Sequence, residues 1–259
     1  MIGSVTVAIE KRGAAGHVAT VTVDNPGKLN IVDPAAIAAL EAAVLKLGED
    51  EKLRALVLCG AGDAAFIGGA DIRAMATLDP ETARAFIGAL HRACDSLRRL
   101  PVPAIARIEG FALGAGLEIA ASCDLRIAAE GARFGMPEVR VGIPSVIEAA
   151  LLPQLIGWGR TRRLLYTGEI IGSVEAERWG LVERVVPKGM LDAAVEEWLD
   201  DILAAGPRAI RLQKALISDW ENLPTGAAIR RGIDAFAAAY ETEEPRERMA
   251  AFLNRRRPG

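Results

Sequence analysis

Pro103-Ala-Ile-Ala-Arg-Ile-Glu-Gly-Phe-Ala-Leu-Gly-Ala-Gly-Leu-Glu118 runs from a short apolar strand, Pro103 to Ile108, through a glycine turn into a short helix that carries Glu118. The same succession occurs upstream. A Leu-rich strand from Arg54 to Cys59 leads into the glycine- and alanine-rich stretch Gly60 to Asp71, read as loop. A helix from Pro80 to about Arg99 follows, its apolar stripe of Ala83, Phe86, Ile87, Leu90, Cys94 and Leu97 falling at helical spacing. Downstream come a strand from Asp124 to Ala128 and a short extended piece, Arg133 to Phe134. A strand, a glycine turn and a helix occurring more than once predict an α/β fold of stacked strand-strand-helix units rather than a single wound sheet.

Outside this repeat, Val5 to Glu10 and His17 to Asp24 alternate apolar and polar residues around the turn-rich Gly13 to Gly16, the pattern of a hairpin. Asp33 and Pro34 then open a helix to Leu47 as N-cap and first helical residue. From Val146 onward helices dominate, interrupted by a strand-like piece at Val182 to Val186. The tail from Leu191 to Leu253 reads as three or four amphipathic helices punctuated by Pro207, Pro224 and Pro245. We divide the chain into a core, residues 1–195, and a helical region, residues 196–259, that together form one functional unit.

With 259 residues, of which 51% are hydrophobic and 25% charged, the chain has the material for a sizeable core and is too apolar to be disordered. No apolar run reaches the roughly 18 residues of a membrane span, and the start has no basic-then-apolar leader, so the expectation is a cytoplasmic protein. Cys59, Cys94 and Cys123 lack any Cys-x-x-Cys spacing and have only two histidines to join them, which argues against disulfides and against a bound metal. A net charge of −3 gives no general footprint for nucleic acid; the basic exception is Arg255 to Arg257.

Phosphate-loop readings fail on spacing. After Gly60-Ala-Gly62 a third glycine would fall at Ala65, and after Gly114-Ala-Gly116 it would fall at Ile119. No Gly-Lys-Ser/Thr loop, His-Glu-x-x-His helix or Gly-x-Ser-x-Gly elbow is present. The glycine turns at Gly68 to Asp71 and Gly114 to Gly116 each precede a helix, where free N–H groups point outward. Two such groups converging on one oxygen form an oxyanion hole suited to a thioester that becomes an enolate. Glu118 and Glu138, the latter in Phe134-Gly-Met-Pro-Glu138, supply an acid and a base for adding water across a double bond conjugated to that carbonyl.

The segments Ala65-Phe-Ile-Gly-Gly-Ala-Asp-Ile72, Pro103 to Glu118, Cys123-Asp-Leu-Arg-Ile-Ala128, Phe134 to Glu138 with Gly142-Ile-Pro144, Leu165-Tyr-Thr-Gly168 and Ala176 to Val182 closely resemble the crotonase superfamily, most of all its enoyl-CoA hydratases. The resemblance implies a spiral of ββα repeats with a C-terminal helical region that mediates homotrimers, often paired into hexamers. It implies an acyl-CoA substrate, with coenzyme A as part of that substrate and no separate cofactor. Ala70 and Ala115 match the two oxyanion-hole amides. Glu118 matches the glutamate that holds and activates water, and Glu138 the one that exchanges the proton at the α-carbon. Gly68 falls where relatives contact CoA, and Lys28 lies in the segment bordering it. Phe252 and Arg255 match an aromatic and basic tail that reaches CoA from a neighbouring subunit, with Arg255 replacing the usual lysine. Ile72 and Met75 are placed to line an acyl pocket.

Two departures stand out. Ala115 occupies a position often held by glycine in relatives, and Pro144-Ser-Val-Ile-Glu-Ala149 replaces a small, glycine-rich run ending in threonine. The second brings the bulk of Val146 and Ile147 and a third carboxylate, Glu148, which is either a charge at a helix start or a group facing substrate. Asp71 reads as the cap of the following helix and Asp124 as structural; His17 and His91 belong to no motif. The expected activity is enoyl-CoA hydration. Double-bond isomerisation, other lyase or hydrolase chemistry on the same scaffold, and acyl-CoA binding without turnover are the rivals.

Overall fold

The computed structural model describes residues 3–254. β1 (Ser4–Lys11) and β2 (His17–Asp24) form the antiparallel hairpin, Ser4 opposite Asp24 and Lys11 opposite His17. α1 (Pro34–Gly48) begins as its sequence dictates: Pro34 takes the first helical position and Asp33 Oδ1 accepts a 2.8 Å hydrogen bond from Ala36 N. β3 (Leu53–Gly60) then pairs with β2 in parallel. Its residues are buried from Leu53 to Leu58, in keeping with a strand covered on both faces.

From β3 the chain winds through repeated units that alternate between two sheets. β4 (Ala65–Ile67), α2 (Ile72–Met75) and α3 (Pro80–Arg99) complete the first unit. β5 (Ala104–Ile108), β6 (Phe111–Leu113) and α4 (Ala115–Ala121) form the second, and β7 (Leu125–Ala129) with β8 (Arg133–Gly135) opens the third. Two 3-10 segments, Glu138–Val141 and Ile147–Leu151, lead into α5 (Leu152–Thr167), which changes direction at Gly157. β9 (Ile170–Gly172), α6 (Ser173–Trp179), β10 (Arg184–Val186) and α7 (Leu191–Ala204) follow. The larger sheet has the order β1-β2-β3-β5-β7-β10 and the smaller one β4-β6-β8-β9. From β3 to β8 successive strands therefore serve different sheets, which is the stacked strand-strand-helix arrangement that the sequence predicts.

Three strands depart from the sequence reading. β4 lies inside the stretch taken for loop, β6 inside the glycine turn, and β9 between helices. Each is three residues long, too short for a period of two to register beside its glycines. Between the sheets and helices sits an apolar core that includes Ile37, Leu40, Leu56, Leu58, Phe66 and Phe134, all essentially inaccessible. α3 is fixed at its start by a capping box: Asp79 Oδ1 accepts from Thr82 N at 2.8 Å, and Thr82 Oγ1 accepts from Asp79 N at 2.9 Å. Asp124 is structural, its Oδ2 accepting from Ala104 N at 2.6 Å.

The chain divides into two compact units, Met1–Trp198 and Leu199–Gly259, the boundary falling within α7. The second holds α8 (Pro207–Asn222), α9 (Thr225–Ala239) and α10 (Glu244–Leu253). Glu244 caps α8 from a distance, accepting from Arg208 N at 3.1 Å and Ala209 N at 3.0 Å. Among the described residues no helix is long and apolar enough to cross a membrane.

Candidate active site

The loop after β4 and the turn after β6 are built alike. Each ends in a glycine with positive φ, Gly69 at 124° and Gly114 at 52°, followed at once by an alanine, Ala70 or Ala115. A left-handed residue at these points turns the next peptide outward, a conformation that a side chain disfavours. Among the described residues neither Ala70 N nor Ala115 N donates to a backbone or side-chain acceptor. For Ala115 this follows from its place as the first residue of α4. The two turns lie close together, since a β-carbon on Gly69 would sit 3.4 Å from Leu113 O. Both alanines line one cavity of about 200 Å³.

Asn30, itself left-handed at φ 53°, holds the first of these loops in place. Its Nδ2 donates to Ala65 O at 2.7 Å and Ala61 O at 2.9 Å, and its Oδ1 accepts from Asn25 N at 2.9 Å. Gly68 N donates to Leu29 O at 2.8 Å, so the segment carrying Lys28 borders the loop. Lys28 is exposed in the 3-10 turn Pro26–Lys28. Asp71 accepts from Arg73 N at 2.9 Å and so caps α2.

Glu118 and Glu138 line the same cavity. Glu118, on α4, is buried, and its Oε1 accepts from Ala149 N at 3.3 Å. Burial pushes its carboxyl up to about 8; the charge of Glu138 adds to the push, the Ala149 amide opposes it, and the charge of Glu148 raises it further. Glu138 opens the 3-10 segment after β8, and Ser145 Oγ donates to its Oε2 at 2.7 Å. Most of the remaining wall is apolar: Ile72 and Met75 from α2, Phe86, Ile87 and Leu90 from α3, and Val141, Ile143 and Val146 from the segment after β8. The three α3 residues, read from their spacing as core, thus also face the cavity.

Some groups carried no sequence motif. Arg140 lines the cavity while its Nε donates to Thr167 O at 3.2 Å. His91 projects from α3 and bonds Glu148 through Nδ1 at 2.8 Å. Glu148 is buried in the first turn of the 3-10 segment Ile147–Leu151 and is not among the residues that line the cavity. Phe252 is exposed on α10 in the second unit, and Arg255 lies outside the described residues. Among the described residues no group of three or more His, Cys, Asp or Glu side chains is arranged to hold a metal.

Paired amides beside two carboxyls in an apolar cavity can polarise a carbonyl and move protons on either side of an adjacent carbon. The family model described as enoyl-CoA hydratase/isomerase matches residues 13–259. The chain is 35% identical over 240 residues to a crotonyl-CoA hydratase of Syntrophomonas wolfei, covering 92% of each. It is 34% identical over 252 residues to a short-chain-enoyl-CoA hydratase of Clostridium acetobutylicum, covering 97% of this chain and 95% of that one. The crystal structure of an enoyl-CoA hydratase from Bacillus anthracis superposes with a TM-score of 0.90 at 32% identity, covering 98% of both chains.

Proposed function

The chain belongs to the enoyl-CoA hydratase/isomerase family of the crotonase superfamily, and from that premise we propose that it is an enoyl-CoA hydratase that adds water reversibly across the 2,3-double bond of an acyl-CoA thioester. The observation that carries this reading is the presence of Glu118 and Glu138 on one cavity with the amides of Ala70 and Ala115. The thioester oxygen accepts from the two amides, which stabilise the negative charge it gains as the enolate forms. Ionised Glu118 takes a proton from water as its oxygen bonds to the β-carbon, and Glu138 delivers a proton to the α-carbon.

Hydration ends with the proton on Glu118 and the charge on Glu138. Burial favours the neutral form of Glu118 in the free protein as well. Glu118 therefore rests in the form that the reverse reaction needs, in which it protonates the departing hydroxyl while Glu138 takes the α-proton. Coenzyme A belongs to the substrate, and the scheme calls on no separate cofactor.

A short, unbranched enoyl chain is the first choice of substrate. The Syntrophomonas and Clostridium relatives bear such names. The cavity of about 200 Å³ is also smaller than the roughly 300–1,000 Å³ usual for drug-sized ligands. Gly68 and Lys28 border the CoA portion. Assembly as a homotrimer, or a hexamer of paired trimers, is supported by the exposed Ile229, Ile233 and Phe236 of α9, which a partner subunit would cover. Phe252 and Arg255 would then reach CoA bound to a neighbour.

The test is loss of conjugated-thioester absorbance across short, long, branched and aromatic enoyl-CoAs, with Glu118→Gln alongside. Hydration of a short enoyl-CoA that vanishes in the variant supports the assignment. A wild type that shifts double bonds but never adds water would make the enzyme an isomerase.

A further inference from the structure

Glu148 is only 4% exposed, in the first turn of the 3-10 segment Ile147–Leu151. Its Oε1 is held by Nδ1 of the half-exposed His91, while its Oε2 is buried without a partner among the described residues. A buried carboxylate with one oxygen unsatisfied is costly and calls for a reason. The backbone supplies a second observation. Ile147 has a φ of 38°, in the left-handed region that a β-branched residue rarely enters. Such strain persists only where the surroundings enforce it. Here they do so on both sides: Glu148 is tied to α3 through His91, and the next residue, Ala149, donates its N–H to Glu118 Oε1.

We propose that Glu148 and His91 are positioning residues for Glu118: the pair anchors the Ile147–Leu151 segment to α3 and keeps the Ala149 amide on the Glu118 carboxyl. The charge of Glu148 also adds, after burial and Glu138, to the upward push on that carboxyl. The assignment rests on the hydratase reading for its catalytic meaning and deepens it. The ionisable groups around the pair fit the role. α3 contributes His91 and the buried Cys94, whose thiol is pushed well up by burial and then by the charge of Glu148. α4 contributes Glu118, and the preceding 3-10 segment contributes Glu138. The buried residues of α5 are Leu152, Ile156, Thr161 and Leu164, none of which ionises in this range. Arg140, on the same 3-10 segment as Glu138, also lines the cavity but turns its Nε to Thr167 O, so His91 is the group that bonds Glu148.

The test reads Glu118 directly. In full-length protein labelled with ¹³C at glutamate Cδ, and assigned with Glu118→Gln, the Glu118 midpoint moves down by about half a pH unit or more in Glu148→Gln, which keeps an acceptor for His91 but loses the charge. His91→Ala lowers kcat about tenfold with KM held within about twofold, because the amide on Glu118 loses its anchor; His91→Asn, which keeps an N–H donor there, restores most of the rate. An unmoved midpoint in Glu148→Gln, or an unchanged kcat in His91→Ala, overturns the proposal. The midpoint is read without substrate, so a wild type that hydrates no enoyl-CoA would sink the hydratase assignment while this coupling is still decided.

Discussion

The carboxylate of Glu138 rests against the bare Cα of Gly114: a β-carbon added at Gly114 would come within 2.5 Å of Glu138 Oε1 and 3.5 Å of its Cδ. The same glycine has φ 52° and leads directly into Ala115, which lines the cavity. One residue therefore touches Glu138 and sets the turn before Ala115, so it bears on both the proposed acid pair and the proposed oxyanion hole. Gly114→Ala must displace Glu138 or rotate the turn, and the left-handed backbone alone costs an alanine about 1–2 kcal/mol. The expected result is a loss of roughly 10²-fold in kcat in a protein that still folds. Far-UV circular dichroism with steady-state kinetics checks both halves, and near-normal turnover would contradict the placement of Glu138.

Removing an amide without removing the fold is feasible at Ala115, because it is the first residue of α4 and proline is well tolerated there. Ala115→Pro deletes one donor and leaves Glu118 in its helix. If the amide stabilises the enolate, kcat falls by about 10²–10³ with little change in melting temperature. Retained turnover would remove Ala115 from the oxyanion hole.

In the proposed mechanism the acid pair works with one proton between its two carboxyls. Burial pushes Glu118 up to about 8, and above that pH it no longer holds the shared proton. kcat/KM should therefore fall by about tenfold per pH unit above that point, in hydration and in dehydration alike. The limb belongs to the coupled pair rather than to one residue. A profile still flat at about pH 9.5 would count against the pairing.

Stability should carry the opposite signature of the same group. Glu118 is raised from 4.5 to about 8 by folding, so between those values the native state binds more protons than the unfolded chain. Its contribution to stability is fully present below the unfolded value and is lost as pH rises through the folded one. Glu118→Gln, neutral at every pH, has no such loss. Its melting temperature should exceed that of the wild type by a margin that widens from pH 5 and levels off above about pH 8; a constant margin would refute the shift.

Much of this was legible beforehand because each feature had a local signal. The Asp33-Pro34 start of α1, the stripe on α3 and the turn residues around β1 and β2 are written in nearest-neighbour chemistry. Glu118, Glu138, Ala70 and Ala115 sit in motifs whose glycines announce close approach, and the cavity draws on all four. What escaped depends on residues far apart in sequence. β4, β6 and β9 exist because the smaller sheet pairs three-residue pieces across repeats. His91 and Glu148 meet across 57 positions, and neither neighbourhood hints at the other.

Asn30 belongs to that hidden class and offers the sharpest test of how the oxyanion loop is held. Its side chain joins Asn25 N, Ala61 O and Ala65 O, all at 2.7–2.9 Å, and it is wholly buried. Its φ of 53° is one that asparagine tolerates better than alanine. Asn30→Ala thus strands buried polar groups and adds backbone strain, for a combined cost of about 2–4 kcal/mol. Because β4 leads directly into Gly68 to Ala70, turnover should fall even at temperatures where the variant remains folded. Asn30→Asp keeps the acceptor for Asn25 N but sets a carboxylate against the carbonyls of Ala61 and Ala65, so it should be no better. Chemical denaturation and kcat measured on the same samples decide the matter, and a variant as stable and as active as the wild type would show that the loop is held by something other than this side chain.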